Sequence, residues 1–204
     1  MAGDPHASTA GVSNAARVGV GRRLPRAARR EQILAAATKA FAKAGFVATS
    51  LDEIARTAGV SRVILYRHFE SKADLYRAVL DRARVRLTAA VQGPEFSAAS
   101  VDDLVAAAAD DPAAFRLMFR HAAREPEFSD EMERHRVEMV ALAHRQLARA
   151  IRDRAWSRWA AELAPTVAIE AVLAWLDVGQ PDRDSAPERV RQTIAGVIAA
   201  ARRR

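Results

Sequence analysis

The chain has 204 residues, half of them hydrophobic, with 32 Lys and Arg against 25 Asp and Glu. That length carries one large domain or two small ones, with enough apolar side chains for a sizeable core. The lack of cysteine excludes a disulfide, a thiolate nucleophile and a Cys-ligated metal, and it fits a reducing cytoplasm. No apolar run approaches the roughly 20 residues of a membrane span, and the first residues lack the continuous apolar segment of a signal peptide. Charge is unevenly placed. Residues 1–80 hold thirteen Lys/Arg and six Asp/Glu, a net of +7, whereas residues 81–204 hold nineteen of each. Positive charge confined to one end suggests a polyanionic partner there, most simply duplex DNA.

In chain order, residues 1–24 are rich in Gly, Ala, Ser and Val without a helical period and read as a disordered basic extension. Arg22, Arg23, Arg26, Arg29 and Arg30 follow as a basic run. It is either a solvated charge run or an arm that touches phosphates or the adjacent minor groove. A first helix is expected over 25–44, with Ile33, Ala37, Ala40, Phe41 and Ala44 as its apolar stripe and Gly45 ending it.

Residues 49–69 read TSLDEIARTAGVSRVILYRHF. Thr49 or Ser50 can cap a short helix, and Asp52 and Glu53 suit its first turn. Leu51, Ile54, Ala55 and Ala58 share a face, and Gly59 stands where the chain must leave the helix with positive φ. Ser61 can cap a second helix that buries Leu65 and Phe69. Short helix, Gly turn and Ser-capped second helix form a helix-turn-helix pattern, whose second helix enters the major groove; an ordinary helical hairpin is the bland alternative. Ser71 caps a further helix to about residue 91, with Asp74 completing a capping-box-like pattern and Leu75, Val79, Ala83 and Leu87 on one face. Gln92-Gly93-Pro94 stops it.

The remainder reads as more helix. One piece covers 101–109; Pro112 opens another carrying Phe115, Met118, Phe119 and Ala122; Glu125-Pro126 breaks it. Ser129 caps a long helix through about 154, or on to 161, with Val137, Val140, Ala141, His144, Leu147 and Ile151 recurring along it. Pro165 opens a helix to about 178, Gly179-Gln180-Pro181 closes it, and Pro187 opens the last, to about 201.

The segments ILAAATKAFAKAGF, TSLDEIARTAGVS and LYRHFESKADLY strongly resemble the tetracycline-repressor-like (TetR) transcription regulators, and AWLDVGQPD near residue 180 is also similar to stretches of such regulators. The resemblance implies an all-α fold. A three-helix, helix-turn-helix DNA-binding domain (25–72) is joined by a long fourth helix to a helical ligand-binding and dimerisation domain (73–204). It implies a cytoplasmic homodimer on an inverted-repeat operator, usually a repressor that a small ligand releases, with no cofactor. By matching position, Ser50 resembles a phosphate-touching residue, Ser61 and Arg62 open the recognition helix, Tyr66 matches the family's phosphate-contacting tyrosine, Arg67 and His68 point from the same helix end, and Lys72 matches a backbone-gripping lysine. Ile64 stands where many relatives have Thr. Together with Val63 it is expected to meet thymine methyl groups, while Arg62 reads a guanine.

Candidates for the ligand cavity are Phe115, Met118, Phe119 and Met139 first, then His121, His135, His144, Trp156, Trp159 and Trp175, though aromatics and Met at helical spacing are usually core. Apolar lining implies a hydrophobic or aromatic ligand. His121 and Glu125 are spaced to share a metal, but such a pair is far more often a surface hydrogen bond. On the last two helices, Ile169, Val172, Leu173 and Leu176, and Val190, Ile194, Val197 and Ile198, are expected to build a four-helix dimer interface, with Ala195, Gly196, Ala199 and Ala200 allowing close approach. No Gly-rich phosphate loop, nucleophile elbow or HExxH motif points to an enzyme. The competing function is a DNA-binding architectural or partner-recruiting protein without small-molecule control.

Overall fold

The computed structural model describes residues 24–91 and 97–203, and among these there are helices and no strand. The Gln92-Gly93-Pro94 stop and the stretch up to residue 23 lie outside the described residues. Nine α-helices are described: α1 (Arg26–Ala48), α2 (Leu51–Thr57), α3 (Arg62–Tyr66), α4 (Lys72–Ala90), α5 (Ala98–Asp110), α6 (Pro112–Arg116), α7 (Ser129–Ala150), α8 (Arg154–Asp177) and α9 (Ala186–Arg202).

Helix starts follow local hydrogen-bond chemistry. Ser50, Ser61 and Ser71 each accept a backbone N–H in the first turn, from Asp52, Ile64 and Asp74. Such caps satisfy donors that would otherwise be orphaned. Asp74 does not close a reciprocal box on Ser71; its carboxylate accepts from the N–H of Glu70, one residue earlier, at 3.0 Å. Thr49 is not a cap: it is buried and donates to the Gly45 carbonyl at 2.6 Å.

Helix α1 is longer than expected because the chain bends at Gly45 and resumes helical geometry for one more turn. Gly45 takes φ 75° and ψ 179°, which an L side chain adopts only with strain. Leu34 joins its packed face, and Ala44 is exposed. The bend carries Phe46 into an aromatic cluster. Phe41 meets Tyr76 edge-on at 4.8 Å, and Phe46 lies 5.1 Å from Tyr76 and 5.2 Å from Phe128. One core therefore joins the first four helices to Leu117, Met118, Ala122 and Phe128. A second core is built from α5, α7, α8 and α9, with Phe115.

Further sequence expectations change. Residues 112–124 are not one α-helix: after α6 the chain widens into a π-helical turn, Leu117–His121, then a 3₁₀ turn, Ala122–Arg124, and another at Pro126–Phe128. Extra backbone in a π turn re-aims side chains, so Leu117 and Met118 enter the first core while Phe115 enters the second. Helix α7 stops at Ala150, and its start is preceded by Phe128, while the Ser129 hydroxyl donates to the Pro126 carbonyl instead of capping. Its packed face is rotated: Ala143 and Leu147 are buried, but Val137, Ala141 and His144 are exposed. Asp153, which accepts from Ala155 and Trp156, caps α8.

Pro165 opens no helix; it lies inside α8, buried against the second core. It has no N–H to give the Ala161 carbonyl, yet the helix continues because α7 and α9 pack along it. Joined across Pro165, α8 is long and apolar enough, by length and composition alone, to cross a membrane. Here it is a core helix that buries Ala160, Ala161, Ala164, Ala168, Val172, Leu173 and Leu176.

Among the described residues, three buried side-chain polar atoms have no hydrogen-bond partner: Tyr76 Oη, His135 Nε2 and Ser157 Oγ. Removing such an atom while keeping the shape relieves a desolvation penalty of about 1 kcal/mol or more. Tyr76→Phe is therefore expected to raise the thermal midpoint by about 2–4 °C; a lower midpoint would show that the hydroxyl is satisfied. Burial holds the His135 imidazole below its ordinary value of 6.5, Glu138 opposes that shift, and Arg84 adds to it. A lowered folded-state pKa means the unfolded chain takes the proton first, so stability falls as pH drops below about 6.5. Melting curves at about pH 7.5 and about pH 5.5 should show a smaller acid loss in His135→Leu than in the parent; equal losses would mean the imidazole titrates normally.

Candidate nucleic-acid interface

The interface begins with the turn between α2 and α3. Gly59 adopts φ 61°, and the Gln32 amide donates to the Ala58 carbonyl at 2.8 Å, fixing α1 against the turn. Ile54, Ala55, Ala58, Leu65 and Phe69 are buried below it. What faces outward is set by subtraction. Ser61, Arg62, Val63, Tyr66 and Arg67 are exposed along α3 and its flanks, while Ile64 and His68 are half-buried.

Val63 is 63% exposed, so it is available to a base methyl, and Ile64 less so. The Arg62 guanidinium is held in place. It pairs with Asp52 of α2 at 3.2 Å, reaches Tyr66 Oη at 3.4 Å and lies over the Tyr66 ring. Such an exposed pair adds little to stability, but it aims a planar five-donor group outward from the start of α3.

His68 is held below its ordinary value by burial, then by the charges of Arg26, Arg30 and Arg29. These arginines extend the cationic surface along the start of α1; Arg30 also lies over the Phe69 ring. Ser50 is exposed at the start of α2. Lys72 is engaged within the chain, where its ammonium donates to the Val47 carbonyl at 2.9 Å and sits over the Phe46 ring.

Of the cavity candidates, Phe119 and Met139 come together. Both line a space of ≈ 230 Å³ bounded by α4, α5, α7 and α8, and a neighbouring space of ≈ 420 Å³. Met118 lines the second and Phe115 a third, between α4, α5 and α6. His135 lines the first two. Helix α4 and its C-terminal cap contribute Leu87, Thr88 and Val91, and α8 contributes Pro165 and Ile169; the sequence hid these because Pro165 reads as a helix start. His144 is exposed on α7, Trp156 and Trp159 form an exposed edge-on pair at 5.6 Å, and Trp175 donates to the Pro181 carbonyl. Glu125 accepts from the Phe46 N–H at 3.1 Å, and no group of three or more metal-ligating side chains occurs among the described residues.

The expected dimer face also changes. Val172, Leu173, Leu176, Val190 and Ile194 are buried inside the single chain, because α8 and α9 pack on each other. The small residues Ala195, Gly196, Ala199 and Ala200 remain exposed on α9.

Residues 33–79 match the sequence profile of bacterial regulatory proteins of the tetR family. The HTH-type transcriptional activator FasR of Mycolicibacterium smegmatis is 55% identical over 62 residues, 30% of this chain and 28% of that protein. TtgR of Pseudomonas putida, an HTH-type transcriptional regulator, is 50% identical over 52 residues, 26% of this chain and 25% of that protein. The matched stretch thus spans about a quarter of these relatives' own length. A TetR-like regulator from Rhodococcus sp. RHA1 superposes with a TM-score of 0.76 at 22% identity, covering 87% of this chain and 99% of that one. NalD, the secondary repressor of the MexAB-OprM multidrug efflux pump in Pseudomonas aeruginosa, superposes at 0.60 and 23% identity, over 85% and 98% of the two chains. Residues 33–79 are thus tetR-like in sequence, and the described residues share the fold of TetR-like regulators.

Proposed function

We propose that the protein is a homodimeric, sequence-specific DNA-binding regulator of the bacterial cytoplasm, a repressor released from an inverted-repeat operator by a small apolar ligand. The observation that carries this is the exposed α3 surface, with Arg62 aimed outward by Asp52 and Tyr66 beside a cationic α1 start. Arg62 reads a guanine, and Val63 with Ile64 meets thymine methyls. Ser50, Ser61, Tyr66, Arg67, His68 and Lys72 hold the phosphates on either side.

Two features support the rest. Ala195, Gly196, Ala199 and Ala200 leave a closely approachable face on α9, and Trp156, Trp159 and Val178 are exposed on α8 and its C-terminal cap; an operator with two half-sites asks for a two-fold protein. The cavities take Phe119, Met139, Met118 and Phe115 into their walls, and α4 lines two of them toward its C-terminal end, while Ser71 and Lys72 stand at its start, where Lys72 donates to the Val47 carbonyl. Ligand that shifts α4 changes the spacing of the two heads.

Fluorescence anisotropy tests the core of this reading, with duplex from the promoter beside the protein's own gene, a scrambled control and a salt series. A preference of about a thousandfold or more is expected. Equal, steeply salt-dependent binding to both would overturn sequence-specific regulation in favour of an architectural role. Arg62→Ala should weaken binding about tenfold or more and relax one operator position; uniform weakening across sequences would make it a phosphate contact. Ala199→Arg should turn the dimer into a monomer by sedimentation velocity, and an unchanged dimer would move the interface off α9.

A further inference from the structure

We infer that the cavity between α4, α5, α7 and α8 takes an uncharged, apolar ligand carrying one hydroxyl or carbonyl, and that His135 is the residue that reads that group. This rests on the reading that the body of the chain binds an effector, and it adds the ligand's charge and its polar anchor.

The wall decides the charge. The ≈ 230 Å³ space is lined by apolar side chains with Thr88, Ser100 and His135, and by no Asp, Glu, Lys or Arg. An ion entering it would lose hydration without meeting a counter-charge. Two arginines that line the spaces adjoining His135 are ion-paired. Arg136 pairs with Glu133 at 2.8 Å and Glu162 at 2.7 Å, and Arg84 pairs with Asp81 at 2.8 Å.

The polar atoms decide the anchor. Thr88 is exposed, and Ser100 exchanges hydrogen bonds with Ser97 in the cap of α5. His135 Nε2 is buried and without a partner among the described residues. A buried ring nitrogen in that state is completed by whatever fills the space next to it. The larger neighbouring cavity shares Phe119, His135, Met139, Pro165 and Ile169 with the smaller one but adds Glu133, Arg136 and Glu170 to its wall, so the uncharged assignment belongs to the smaller space. Burial keeps that imidazole neutral near pH 7, able to pair with an uncharged hydroxyl or carbonyl without a compensating charge.

The test uses four probes of one shape on the full chain: naphthalene, 2-naphthol, 2-naphthoate and 2-naphthylmethylammonium, by equilibrium dialysis at pH 7.5. A hydroxyl is costly to bury in an apolar wall unless it is paired, so a preference for 2-naphthol needs a partner in the site. We expect 2-naphthol to bind about tenfold more tightly than naphthalene and than either ion. His135→Leu should bring 2-naphthol down to the naphthalene level, and His135→Gln should keep the preference. Met139→Trp, which fills the space, should abolish binding of all four while the far-UV helical signal of the parent is retained. An ion that binds as tightly as 2-naphthol overturns the charge assignment. A preference that survives His135→Leu overturns the anchor. Both of those leave the effector site standing, whereas no binding by any probe removes the effector reading from this cavity.

Discussion

The bend at Gly45 is the constraint on which the rest of the molecule depends. Because residue 45 can take φ 75°, the last turn of α1 folds back toward the start of α4 and places Phe46 against Tyr76 and Phe128. Two polar ties hold it there: Lys72 on the Val47 carbonyl and Glu125 on the Phe46 N–H. A Cβ at position 45 would lie 3.3 Å from the Glu125 carboxylate, so a side chain would strain the backbone and press on the tie together. Head and body consequently share one apolar core, and the orientation of α3 is referred to the π-helical turn that follows α6.

Helix α4 is the element that runs from the helix-turn-helix to the cavity wall. Its first turn is capped by Ser71 and anchored by Lys72; its middle buries Leu75, Tyr76, Val79, Leu80 and Ala83; its last turns reach the cavity with Leu87 and Val91. Arg82 and Arg86 pair with Glu31 of α1, and Arg77 pairs with Glu127. The Arg86 and Arg77 pairs are exposed and add little energy, while the Arg82 side chain is mostly buried; together they link α4 to α1 on one side and to the turns before α7 on the other.

The body shows why apolar residues are poor guides to a site. Phe115, Met118, Phe119 and Met139 share composition, yet Phe115 and Met118 are almost fully buried in different cores, and Phe119 and Met139 stand between cavities. The side chain that distinguishes the cavity chemically is His135, because it brings a buried, unpartnered polar atom to that wall. On α8 and α9 the same logic runs in reverse. The large apolar residues serve the monomer, and the outward face is left to small ones and to Trp156 and Trp159.

What the sequence determined by itself is local: the caps at Ser50, Ser61 and Ser71, the turn at Gly59, the buried Leu65 and Phe69, and hence the head and its outward residues. These rest on hydrogen bonds and side-chain periods spanning two to four residues, so they are written in adjacent letters. The tertiary structure alone decided what depends on distant partners. Glu125 meets Phe46 across 79 positions, Pro165 continues a helix because α7 and α9 enclose it, and α7 turns its Ala143–Leu147 face inward where the periodicity alone favoured Val137 and His144. Such choices are made by competition for buried surface among elements far apart in the chain, and no short window of sequence contains both competitors.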